Sequence, residues 1–91
     1  MILEIYTPEG KVFGNEVSLI TLPGVDGEFQ TLENHAAIVS ALEEGFVRFK
    51  GSFTLEEEQA KFFEQQEGEY RFKIKSGVFE MNANKAVVLA D

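Results

Sequence analysis

Four serines (Ser18, Ser40, Ser52, Ser76), one histidine (His35) and Asp26 supply the residue types of a nucleophile, a base and an orienting acid. The types are all that is present. No strained Gly-x-Ser-x-Gly elbow frames any of the serines, and 91 residues supply such types by chance. A metal centre fares no better. His35 has Glu28 and Glu33 nearby in sequence but no second imidazole, and Asp26-Gly27-Glu28 lacks the ligand spacing of a calcium loop. With no cysteine, thiolate zinc sites and disulfides are excluded. The glycines of Pro23-Gly24-Val25-Asp26-Gly27 resemble a phosphate cradle in composition only. Asp26 and Glu28 would repel an anion, and no Gly-Lys-Ser/Thr follows. The expectation is no catalytic residue, no metal and no cofactor. His35 then reads either as a loop histidine bonded to nearby backbone or as a polar contact at a protein interface. The second role would be pH-sensitive, because an imidazole titrates near ~6.5.

The elements that would hold these residues are mostly strands. Residues 2–7 place Leu3 and Ile5 on one face and Ile2, Glu4 and Tyr6 on the other, and Pro8 ends the run. Short runs follow at residues 11–13 and 17–22. Pro23-Gly24-Val25-Asp26-Gly27 is a turn, because proline fixes φ and glycine permits φ > 0. Further strands are expected at residues 28–32, 37–42, 46–49, 70–75, 78–81 and 85–90, with Asn82-Ala83-Asn84 turning the last pair. Short strands between turn signals predict an all-β fold, an antiparallel sandwich or barrel. Residues 2–7 and 17–22 carry apolar side chains on both faces. An isolated sandwich wets its outer faces, so either loops or a partner protein cover these strands.

Residues 54–69 break the pattern. Six glutamates against Lys61 alone place −5 of the net −8 there. Thr54-Leu55-Glu56-Glu57 fits a capping box and Gly68 a helix stop, which predicts a short surface helix within residues 54–67. A long hairpin tip is the competing reading. The acids read as a solvated face or as a docking surface for a basic partner.

Length and composition set the remaining bounds. Ninety-one residues make one domain, residues 1–91, and the nine phenylalanines argue against disorder. No apolar run approaches the ~20 residues of a membrane-spanning helix, and no secretory leader is visible. Eight basic against sixteen acidic residues disfavour nucleic acid and an anionic lipid surface, and no direct membrane insertion is expected.

Several motifs in order resemble the epsilon subunit of F-type ATP synthases. They are Leu3-Glu4-Ile5, Thr7-Pro8-Glu9-Gly10, Leu22-Pro23-Gly24 leading to Gly27-Glu28-Phe29, and Asn34-His35-Ala36. The tail adds Val78-Phe79-Glu80-Met81, Asn84-Lys85 and Val87-Val88-Leu89-Ala90-Asp91. The resemblance implies a flattened β-sandwich of about ten strands and a non-catalytic rotor part. Such a part grips the gamma subunit, rests on the polar loops of the c-ring, and couples ion flow to ATP synthesis at the cytoplasmic face of a bacterial plasma membrane. Carried over by position, the gamma-facing residues are Thr7, His35 and Ser40. The c-ring-facing turn is Gly24, Val25, Asp26, Gly27, Glu28, Phe29 and Gln30, with Glu28 as the acid that would meet a basic ring loop. Glu33 and Ala37 stand where the family carries prolines, Val78 replaces a glycine, and residues 50–69 have no counterpart. Many members continue past the Leu-Ala-Asp into an inhibitory helical hairpin that in some binds ATP. The stop at Asp91 implies neither inhibition through that hairpin nor nucleotide binding. From a different class, a small-molecule-binding β-barrel would need convergent polar groups in an apolar pocket. An adhesion-type sandwich module fits the fold but not the absence of a leader and of cysteine.

Overall fold

A computed structural model describes residues 1–31 and 37–91. Ten strands and one helical turn follow in order. They are β1 (Ile2–Thr7), β2 (Gly10–Glu16), β3 (Leu19–Gly24), β4 (Gly27–Thr31), β5 (Ile38–Leu42), β6 (Gly45–Lys50), α1 (Glu57–Ala60), β7 (Glu64–Gln66), β8 (Glu69–Ile74), β9 (Gly77–Asn82) and β10 (Lys85–Ala90).

Two sheets result. The first has the order β2-β1-β10-β9-β5, and the second has β4-β3-β6-β8-β7. They meet through one residue pair, Gly24 with Leu42, so the curled sheet behaves as two packed layers. Tight hairpins set most neighbours. Gly27, at φ 124°, and Gly10, at φ 125°, follow the β3–β4 and β1–β2 turns at angles that side chains rarely adopt. The expected antiparallel sandwich is present with one variation: β1 pairs β10 in parallel, Ile2 opposite Lys85 through Tyr6 opposite Leu89.

The pleat sends alternate residues inward. Leu3 and Ile5 of β1, Phe79 and Met81 of β9, and Ala86 and Val88 of β10 face Ile20, Leu22, Val47, Phe49, Phe72 and Ile74 of the second sheet, all buried. Full burial of such a side chain contributes about 1.5–3 kcal/mol. Thr31, the deepest polar residue, donates its hydroxyl to Met81 Sδ at 3.0 Å, so it is not left unsatisfied.

The acidic segment contains both of its expected alternatives. α1 is a single turn capped by Glu56, which shares a capping box with Gln59, two residues beyond the predicted Thr54 box. β7 then pairs β8 through a Glu67-Gly68 turn with φ 54° and 77°. Two successive positive φ values make it a hairpin turn of the kind glycine favours, so Gly68 turns a hairpin and does not stop a helix. The segment is anchored by aromatics. Phe53 and Phe63 lie 5.4 and 5.6 Å from Phe13, ring centre to ring centre, and Phe53 stacks on Tyr70 at 5.2 Å. Glu56, Glu57, Glu58, Glu64 and Glu67 stay outside, as a solvated face would, while Glu69 is half-buried.

Candidate interaction surfaces

The outer face of the first sheet is apolar where an isolated sandwich would be polar. Register aligns Tyr6, Leu89, Val78 and Ala41 across β1, β10, β9 and β5. The next outward row is Glu4, Val87, Glu80 and Val39. Val39 is 77% exposed, Leu89 46% and Val78 38%. Nothing in the described chain covers them. The strand predicted at residues 17–22 resolves the other way: Ile20, Thr21 and Leu22 are all buried within the fold. The two-faced apolar pattern therefore marks an uncovered face in β1 and an internally covered strand in β3.

Charge on the uncovered face gathers at Glu4. Its carboxylate accepts from Lys85 Nζ at 3.2 Å, Lys11 Nζ at 3.3 Å and Tyr6 Oη at 3.2 Å. The hydrogen bond from Lys85, with those from Lys11 and Tyr6, holds the carboxyl below its ordinary value against a smaller opposing effect of desolvation.

The residues assigned to the gamma side fall at separate places. Thr7 ends β1, its Oγ1 accepting from the Glu9 amide at 3.2 Å. Ser40 lies on β5 in register with Phe79, so it shares the inward parity of Ile38 and Leu42 and is half-buried. Two strands lie between β1 and β5, which sets Thr7 and Ser40 roughly 14 Å apart across the sheet at the usual strand spacing. Both have the inward parity of their strands, opposite to the exposed row, and they do not form a single cluster. His35 lies outside the described residues.

The other assigned site is the β3–β4 hairpin. Val25 and Asp26 form its exposed tip between Gly24 and Gly27, which pair with each other. Glu28 and Gln30 are exposed. Phe29 points inward, its ring edge-on to Phe79 at 6.0 Å, so it anchors the hairpin. Glu28 is not a free charge: its Oε1 lies 2.6 Å from Arg48 Nη2. Arg48 also reaches Glu69 through Nη1 at 3.6 Å, and Arg71 Nε lies 3.3 Å from the same carboxylate. Sequence reasoning missed Arg48. On β8, Arg71 and Lys73 alternate with Tyr70, Phe72 and Ile74, but nothing local in the sequence ties this face to Glu28.

No helix among the described residues is long and apolar enough to cross a membrane. Among the described residues, a small β-sandwich presents an uncovered apolar face, the feature of a docking surface. The whole chain, residues 1–91, matches the family model described as ATP synthase, Delta/Epsilon chain, beta-sandwich domain, and the chain belongs to that family. It is 35% identical over 89 residues to the ATP synthase epsilon chain of Chlorobium limicola, covering 98% of this chain and 86% of the relative. Identity to the epsilon chain of Pelotomaculum thermopropionicum is 36% over 90 residues, covering 98% of this chain but 56% of that one. A solved structure, the central stalk and c-ring of the Tetrahymena thermophila mitochondrial ATP synthase, contains a chain that superposes with a TM-score of 0.76 at 15% identity. The match covers 99% of this chain and 62% of that one, and it supports the fold.

Proposed function

We propose that this chain is a non-catalytic rotor component of an F-type ATP synthase, docked between the gamma subunit and the polar loops of the c-ring. Its place would be the cytoplasmic face of the plasma membrane. The observation that carries the reading is the uncovered row Tyr6–Leu89–Val78–Ala41, with Val39 beside it, on a chain whose full length matches the epsilon family. A joint that transmits torque needs a permanent, largely apolar interface, and such interfaces resemble a core cut in half. The gamma subunit would cover this face. The β3–β4 tip would meet the ring, where a rim charge such as Glu28 sets register and salt dependence more than affinity. Coupling of ion movement to ATP synthesis then needs no chemistry from this chain, only a grip that holds under load. Co-purification with a gamma subunit tests the reading. Association at micromolar concentration is expected, and its loss on Val39→Asp would locate the face. No association between the intact proteins would refute the assignment.

A further inference from the structure

The acidic segment carries an aromatic that the fold does not use. Phe53 and Phe63 turn into the core against Phe13 and Phe49. Phe62, adjacent to Phe63, faces the other way and is 46% exposed. It forms one wall of an open cleft of about 550 Å³, lined also by Thr7, Pro8, Glu9, Val12 and Asp91. The apolar side chains of Pro8, Val12 and Phe62 share that lining with two carboxylates, Glu9 and Asp91, both exposed. The Asp91 carboxylate accepts from Ser76 Oγ, and the backbone amide of Glu9 donates to Thr7 Oγ1, which fixes the turn that carries Glu9. Among the described residues, no base lines the cleft. Lys61, the one base of residues 54–69, sits over the Phe62 ring at 5.4 Å and is outnumbered by six glutamates on its own segment.

We propose that this cleft is a second docking point of the gamma interface, receiving an apolar side chain flanked by lysine or arginine on that partner. The proposal rests on the gamma-binding reading and extends it to the acidic segment, which was expected to lack a family counterpart but lies inside the match to the family and to its relatives. Two observations choose the occupant. Charge complementarity calls for a basic segment, since Glu9 and Asp91 line the cleft and the base nearest them, Lys61 over the Phe62 ring, is outnumbered. Continuity calls for the same partner: Thr7 lines the cleft and ends β1, whose Tyr6 begins the exposed row that runs through Leu89 to Ala41. An exposed aromatic beside such a row, in a pocket that a partner would dehydrate, has the attributes of an interface anchor.

The test measures binding of the purified gamma subunit to the intact chain at two salt concentrations. Phe62→Ala is expected to weaken binding about tenfold, as truncation of an anchor does. Glu9→Gln is expected to flatten the salt dependence, because it removes one rim charge. Unchanged thermal unfolding of Phe62→Ala separates lost docking from lost fold, and retained affinity of Phe62→Tyr identifies the ring as the contact. If Phe62→Ala binds gamma like the wild type while Val39→Asp does not, the cleft is overturned and the gamma reading stands. If the wild type itself fails to bind, the gamma reading falls and the cleft falls with it.

Discussion

Arg48 on β6 holds Glu28 on β4 across the outer face of the second sheet, Nη2 to Oε1 at 2.6 Å, and leans on Glu69 with its other terminal nitrogen. The acid expected to meet the c-ring is thus already half of an ion pair. A basic ring loop would approach a carboxylate whose charge is shared, so the contact would be an exchange of partners and not the capture of a bare anion.

That geometry sharpens the outcome of Glu28→Lys. The lysine would stand against Arg48, turning attraction into repulsion. Glu28 is exposed and Arg48 keeps Glu69, so the fold should lose no more than about 1 kcal/mol. Urea unfolding checks that figure. Ring docking should weaken, read as reduced coupling between ion transport and ATP synthesis. Full coupling in a stably folded variant would remove Glu28 from the ring contact.

The second prediction concerns a turn. Ala83 opens the β9–β10 hairpin loop with φ 55°, where a Cβ costs roughly 1–2 kcal/mol. Glycine removes that strain and gives back part of it as chain entropy in the unfolded state. Ala83→Gly should therefore stabilise the domain by about 0.5–1 kcal/mol, raising Tm by a few degrees. A lower Tm would show that the turn tolerates alanine without strain.

The third prediction is a pH dependence. Glu4 titrates below its ordinary value because Lys85, and then Lys11 and Tyr6, donate to its charged form. A depressed carboxyl contributes stability that is fully present above the unfolded-state value. That stability is lost as pH falls through the lower folded-state value. The stability gap between the wild type and Glu4→Gln should therefore be constant at neutral pH and should shrink in acid, below the usual carboxylate range. Denaturant midpoints from pH 7 downward measure it. A gap that widened in acid would reverse the sign argued here.

What the sequence disclosed, and what it concealed, follows the range of the interactions. β1 and β10 were legible to the residue because alternation is local, and the Asn82-Ala83-Asn84 turn announced itself by composition. The parallel pairing of those same strands was not legible, because it joins the two ends of the chain. Glu28 and Arg48 are 20 residues apart, and no periodicity connects them. Phe62 and Phe63 are neighbours with the same propensities, so only packing decides which one enters the core. The gamma-side residues came from resemblance, and the sheet separates Thr7 from Ser40 by two strands. The exposed row beside them was foreshadowed by apolar residues on both faces of residues 2–7, a signal that could not distinguish an uncovered strand from a covered one.

The last prediction follows from the way the acidic segment is fastened. Phe63 lies 5.5 Å from Phe49, 5.5 Å from Phe72 and 5.6 Å from Phe13, while its own segment supplies one turn of helix and a three-residue strand. Neither element is stable alone, since isolated short helices and two-stranded ribbons are marginal in water. The ring is therefore the main apolar hold of residues 54–69 on the sandwich, beside Leu55 and the pairing of β7 with β8. Phe63→Ala should cost about 2–3 kcal/mol, below the ~3–5 of a fully buried phenylalanine because Phe63 is half-buried. The loss should also be local: amide exchange should accelerate in β7 and α1 well before β1, β9 and β10 lose protection. Uniform acceleration across both sheets would mean that the segment is part of the cooperative core and not a flap pinned by one side chain.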